Sequence, residues 1–156
     1  MINWTHTTQV LQQFGQRLVE TYRNNIQEHR ASGLLQDTCR YIINTGSESI
    51  ELSLSLQDYW TYIENGTKPH FPPVDAIRKW IEIKPVLPYP GQDGKLPTPD
   101  QLAFLIGRKI SRVGTKGDGK LEQSVDEVLS EFSDALDEAI TRDVDEEATA
   151  ILSILR

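Results

Sequence analysis

At 156 residues, with 38% hydrophobic and 25% charged residues, the chain has the length for one globular domain with a modest core. A net charge of −7 argues against broad binding to nucleic acid, whose affinity comes mainly from neutralising phosphates. One cysteine, Cys39, excludes an internal disulfide, and no apolar run approaches the ~20 residues that span a bilayer.

Met1 to His6 has neither the basic start nor the apolar core of a secretion signal, so a cytoplasm, or a particle assembled there, is the expected setting. From Trp4 to Glu28 the apolar residues Leu11, Phe14, Leu18, Tyr22 and Ile26 recur every three or four positions, the period of an amphipathic helix. Asn3, Thr5 or Thr7 is placed to cap it. Gly15 inside it should cost up to ~1 kcal/mol relative to alanine, and Gly33 marks a break. Cys39, Tyr41 and Ile43 then alternate with Arg40, Ile42 and Asn44. After Thr45-Gly46-Ser47, Ile50, Leu52, Leu54 and Leu56 alternate with Glu51, Ser53 and Ser55. Period two with one polar face predicts an antiparallel hairpin over Cys39 to Leu56, covered by the first helix and with Cys39 buried on a strand. Its polar face and free edges are also open to pairing with another copy of the chain.

Asp58 to Trp80 reads DYWTYIENGTKPHFPPVDAIRKW. The aromatic turn around Tyr59, Trp60, Tyr62 and Ile63 ends at Gly66, the residue suited to a left-handed helix stop. Thr67, Lys68, Pro69, His70, Phe71, Pro72 and Pro73 must run extended, because a residue before proline is pushed out of the α region. Pro73 is expected at the first position of a new helix, with Asp75 near its positive end and Ile77, Trp80 and Ile81 along it. Pro85 stops that helix, and Pro85 to Pro99 is a Pro/Gly-dense loop whose Val86, Leu87, Tyr89 and Leu96 pack either on the domain itself or on a partner. Thr98-Pro99-Asp100-Gln101 is a capping box opening a helix that buries Leu102, Ile106, Ile110 and Val113 and stops at Gly114. From Leu121 an apolar stripe runs through Val125, Val128, Phe132 and Leu136 to Leu155. This predicts a long helix with a break at Thr141-Arg142-Asp143, where Asp143 would cap a terminal segment; Ala150 to Leu155 also suits a strand. No repeat and no dividing linker is evident, so a single α+β domain is expected, with a small antiparallel sheet under several helices.

Charge is uneven along the chain. Leu121 to Arg156 holds eleven acidic and two basic residues, a balance of −9, which leaves +2 for the first 120 positions. Arg108, Lys109, Arg112, Lys116 and Lys120 form the one basic cluster. Its Gly114-Thr115-Lys116-Gly117 run lacks the spacing of a phosphate-binding loop. Pairing with an acidic neighbour is favoured over contact with DNA.

The run Y-W-x-Y-I-E-x-G-T-K-P-H-F-P-P-x-x-A-I-x-x-W, followed by Ala103 to Ile110 and a second G-T-K at Gly114, Thr115 and Lys116, resembles the tail-completion (neck) proteins of tailed bacteriophages. The similarity covers roughly Arg30 to Val128. One departure is Gly117, where members of that family often carry proline after the second G-T-K. The resemblance implies a structural virion protein, a head–tail connector component at the head–tail junction or tail-tube end, assembled in the bacterial host cytoplasm. It implies homo-oligomeric rings that bind neighbouring connector, tail-terminator or tail-tube proteins, with DNA passing nearby, no membrane, no cofactor and no catalysis. Tyr59, Tyr62, Glu64, Gly66, Thr67, Pro69, His70, Pro72, Pro73 and Trp80 would form the scaffold, and Tyr89, Leu96, Arg108, Lys109, Arg112, Gly114, Thr115 and Lys116 the interface. The competing class is a nucleic-acid-binding or nuclease accessory protein using 108–120. Glu64, His70 and Asp75 also invite an acid–base reading, but no nucleophile with a supporting base accompanies them. His6, His29 and His70 lack the paired spacing that metals need.

Overall fold

In the computed structural model, which describes residues 1–29, 33–84 and 86–154, the first amphipathic period becomes helix α1, Thr5–Asn25. A short helix, α2 (Leu34–Thr38), follows a 3-10 turn and was not evident from the sequence pattern. The hairpin forms as expected, with β1 at Arg40–Thr45 and β2 at Ile50–Ser55. Then come α3 (Trp60–Asn65), β3 (Gly66–Thr67), α4 (Val74–Ile83), α5 (Pro99–Val113), β4 (Thr115–Lys116) and α6 (Lys120–Ile154). The architecture is α+β, with two two-stranded antiparallel sheets, β1–β2 and β3–β4. The residues fall into two compact units. The first comprises Met1–Glu28, Leu34–Gln57 and Lys120–Arg156; the second comprises His29–Gly33 and Asp58–Gly119.

The first unit is built on α1 and α6. Phe14, Leu18 and Val128 form its buried centre, with Leu52, Leu54, Val125, Phe132 and Leu136 packed around them. Phe14 and Phe132 meet edge to face with ring centroids 5.8 Å apart. Each aliphatic side chain fully buried in such a cluster stabilises the fold by about 1.5–3 kcal/mol. Hairpin register places Tyr41 opposite Leu54 and Ile43 opposite Leu52, so the alternation seen in sequence does put one apolar face together. Gly15 has a structural reason: a Cβ there would lie 2.6 Å from the Tyr41 ring, so the missing side chain is the slot through which β1 reaches α1. Arg17 forks onto both Glu131 oxygens at 3.1 Å, and Asn25 Nδ2 donates to Ser124 Oγ at 2.9 Å.

Several expectations change here. Cys39 is buried but sits just ahead of β1; burial pushes its thiol pKa up, against a smaller opposing influence of Arg23. Helix α6 runs without a break through Thr141-Arg142-Asp143 and remains helical to Ile154, so no strand forms over Ala150–Ile154; Leu155 lies outside the described residues. Asp143 does cap a helix, but not its own. It is buried, and its two carboxylate oxygens accept the backbone N–H of His6 at 2.9 Å and of Thr7 at 2.8 Å. Those are among the first amides of α1, which have no partner within the helix. Trp4, at the N-cap position of α1, supplies no side-chain cap, nor do Asn3, Thr5 or Thr7 take that role.

Candidate functional site

The second unit is organised by its two Gly-Thr-Lys tripeptides. Gly66 ends α3 at φ 72°, ψ −166°, and Gly114 ends α5 at φ 70°, ψ −161°. The sequence suggested a left-handed stop at Gly66. The actual conformation combines positive φ with extended ψ, a region open essentially to glycine alone. It turns each helix directly into a two-residue strand. The strands then pair antiparallel, Gly66 opposite Lys116 and Thr67 opposite Thr115. The threonine hydroxyls are 2.9 Å apart, and the Thr115 N–H donates to Thr67 Oγ1 at 3.2 Å. The backbones are so close that a Cβ on Gly66 would lie 2.1 Å from the Thr115 carbonyl oxygen, and one on Gly114 2.0 Å from that of Thr67.

Gly117 belongs to the same junction, since a Cβ there would lie 2.2 Å from the Glu64 carbonyl oxygen. Beyond it, the N–H groups of Asp118 and Gly119 donate to the carbonyls of Ile63 and Glu64, at 3.2 and 3.3 Å. The second loop thereby satisfies end-of-helix acceptors of α3. The two motifs, 48 residues apart, are one structural element.

Around this junction the chain is stiff and exposed. Lys68, Pro69 and His70 line an open groove of about 740 Å³ together with Tyr62, Ile110 and Thr115. His70 Nδ1–H donates to the Lys68 carbonyl at 2.9 Å, a local turn contact. Pro73 is the N-cap residue of α4, one position before the helix rather than its first residue, while Asp75 lies in the first turn as expected. Thr98 forms the full capping box with Gln101 and opens α5. Helices α4 and α5 pack through Ile77, Ala103 and Gly107, with Phe71 and Phe104 rings 5.9 Å apart. Buried α5 positions are therefore small ones. Leu102, Ile106 and Ile110 are only half-buried, and Val113, expected inside, is exposed. Trp80 is also partly exposed, and Leu87, Tyr89 and Leu96 of the 86–98 loop stand in solvent. That loop's own order is a turn in which the Gly91 N–H donates to the Lys95 carbonyl at 2.9 Å. Pro85, the predicted helix stop, lies outside the described residues.

Arg108, Lys109, Arg112 and Lys116 are all exposed, and among the described residues none of them makes an ion pair. Glu64, His70 and Asp75 do not form a cluster of converging ligand atoms. The sequence missed a different grouping in the first unit, where His6, Asp143 and Glu146 lie within ligand distance of one another. It was invisible because 137 residues separate His6 from Asp143. Both Asp143 oxygens are already committed to α1 amides, and His6 Nε2 meets Glu146 at 3.0 Å, so the arrangement reads as a helix cap. Among the described residues no helix is long and apolar enough to cross a membrane. No protein-family model matches the chain, and no curated protein or solved structure matches it.

Proposed function

We propose that the chain is a structural virion protein of the tail-completion or neck type, acting by ring assembly and by docking to connector, tail-terminator or tail-tube proteins. On this reading it is not an enzyme, and its place is the assembled particle. The observation that carries the reading is the exposed second unit: among its described hydrophobic side chains only Ile77 and Ala103 are buried, while Tyr62, Phe71, Leu87, Tyr89, Leu96 and Phe104 are exposed. A surface this apolar is of the kind that another protein covers. The fused Gly-Thr-Lys junction supports the same reading, because it fixes the groove and the flanking loops as a rigid platform. The sequence resemblance supplies the particle. Electron microscopy of the purified chain, alone and mixed with phage connector and tail-tube proteins, tests it: rings or joined complexes are expected. A chain that stays monomeric and binds none of them would overturn it.

A second reading, a nucleic-acid-binding accessory protein, is favoured by one observation, the cations at Arg108, Lys109, Arg112 and Lys116, which make no ion pair among the described residues. It requires DNA binding at physiological salt that weakens steeply as salt rises.

A further inference from the structure

The division into two units also divides the charge. The second unit carries ten Lys and Arg against seven Asp and Glu, a net +3; the first carries six against sixteen, a net −10. On the second unit three of the ten cations lie together on one exposed face of α5. Arg108, Lys109 and Arg112 surround the exposed Leu105, opposite the buried Ala103 and Gly107, and Lys116 follows on β4. Spacings of three and four residues put Leu105, Arg108, Lys109 and Arg112 on a common surface.

On the first unit, α6 buries Ser124, Val128, Ala139 and Asp143. The helical period therefore turns Asp126, Asp134, Asp137 and Asp145 outward. All four are exposed, and none makes an ion pair among the described residues. Exposed Ile140 and Val144 lie among them. Asp126 and Asp145 are nineteen positions apart, about 28 Å along a helix at 1.5 Å per residue. Each face thus has an apolar centre with charge around it, and the charges are opposite. That is the anatomy of a specific protein contact, with an apolar middle and a polar rim.

We propose that the outward face of α6 docks onto the basic face of α5 in a second copy of the same chain, with Ile140 and Val144 against Leu105. The two faces are different surfaces, so the contact is head-to-tail. Such contacts propagate, closing into a ring or extending as a filament. The inference deepens the proposed function by naming the faces through which copies join, and it rests on that reading only for self-assembly.

Charge reversal in trans tests it. One variant carries Arg108→Glu, Arg112→Glu and Lys116→Glu; the other carries Asp134→Lys, Asp137→Lys and Asp145→Lys. All six side chains are exposed, and circular dichroism verifies the fold of each variant. By sedimentation velocity the wild type should assemble at about 0.05 M salt and dissociate at about 0.5 M, where screening shortens the reach of exposed charges to a few ångströms. Each variant alone should stay monomeric. Their mixture should assemble, because each copy then meets a neighbour of complementary sign, and the chain carrying all six reversals should assemble by itself. A monomeric wild type at low salt, variants that assemble alone, or a mixture that does not recover would each overturn the proposal. So would duplex DNA binding by the basic face without self-association. A wild type that stays monomeric at low salt yet binds tail-tube protein would leave the particle role standing while this interface falls, so the two failures can be told apart.

Discussion

The fold is most demanding at two glycines and one aspartate. Gly66 and Gly114 each combine positive φ with a backbone neighbour where a side chain would sit. Backbone strain of this kind costs about 1–3 kcal/mol per residue before any overlap. Gly66→Ala and Gly114→Ala should each lower the stability of the second unit by at least about 2 kcal/mol in urea unfolding. Gly94→Ala is the control, since Gly94 has φ 74° but open space around it; it should cost only about 1 kcal/mol. If all three cost the same, the backbone contact at the β3–β4 junction is not what demands glycine.

Asp143 titrates as well as caps. Burial pushes its carboxyl pKa up, but hydrogen bonds from Thr7 and the backbone of His6 outweigh this and hold it below the ordinary carboxylate value. The folded value is the lower one, so its contribution is full above the unfolded pKa of about 3.9. It is lost as pH falls through the folded value. Asp143→Asn should cost about 1.5–3 kcal/mol at neutral pH, the usual worth of hydrogen bonds to a charged group. The gap between wild type and variant should narrow below about pH 4. A pH-independent gap would assign the loss to shape rather than charge.

Secondary structure was largely legible wherever one local rule acted alone. The α1 period, the hairpin alternation and the Thr98 capping box each need only a few neighbouring residues, and each formed as read. Thr98→Ala should accordingly cost about 1 kcal/mol in thermal or urea unfolding. The misreadings occur where a distant partner decides. Asp143 looked like a local cap because its acceptors serve amides 136 and 137 residues away. Val113 looked like core because its spacing is helical, yet α5 packs on α4 through Ala103 and Gly107 and leaves Val113 outside. The β3–β4 ladder has two residues per strand, too short for any alternation to register. The platform was therefore visible only as two similar tripeptides, not as one object. By the same contact logic, α6 from Ala148 to Ile154 is exposed along its length. Hydrogen exchange should find those amides fast and the amides near Val128 slow. The 86–98 loop should also exchange fast in the free chain and slow down on assembly; strong protection in the free chain would remove it as a docking segment.

For the molecule as a whole, burial is distributed as unequally as charge. Of twelve buried hydrophobic side chains among the described residues, ten lie in the first unit and two, Ile77 and Ala103, in the second. A unit with so little interior should open at lower free energy than its neighbour. Native-state hydrogen exchange should show the α4 and α5 amides opening before those of α1. A single shared opening energy would mean that the chain unfolds as one cooperative body.

The Asp143 cap has a further consequence in time. The amides it satisfies belong to α1, while α6 reaches the ribosome exit only after the entire second unit has been made. Non-local contacts of this span are slow to form, because a long loop must close before any stabilisation is gained. During synthesis α1 and the hairpin must therefore wait without the cover that α6 supplies, and the inserted segment can fold before that cover arrives. A chain ending at Gly119 and released from the ribosome should accordingly protect its Gly-Thr-Lys junction from protease while α1 is still cut.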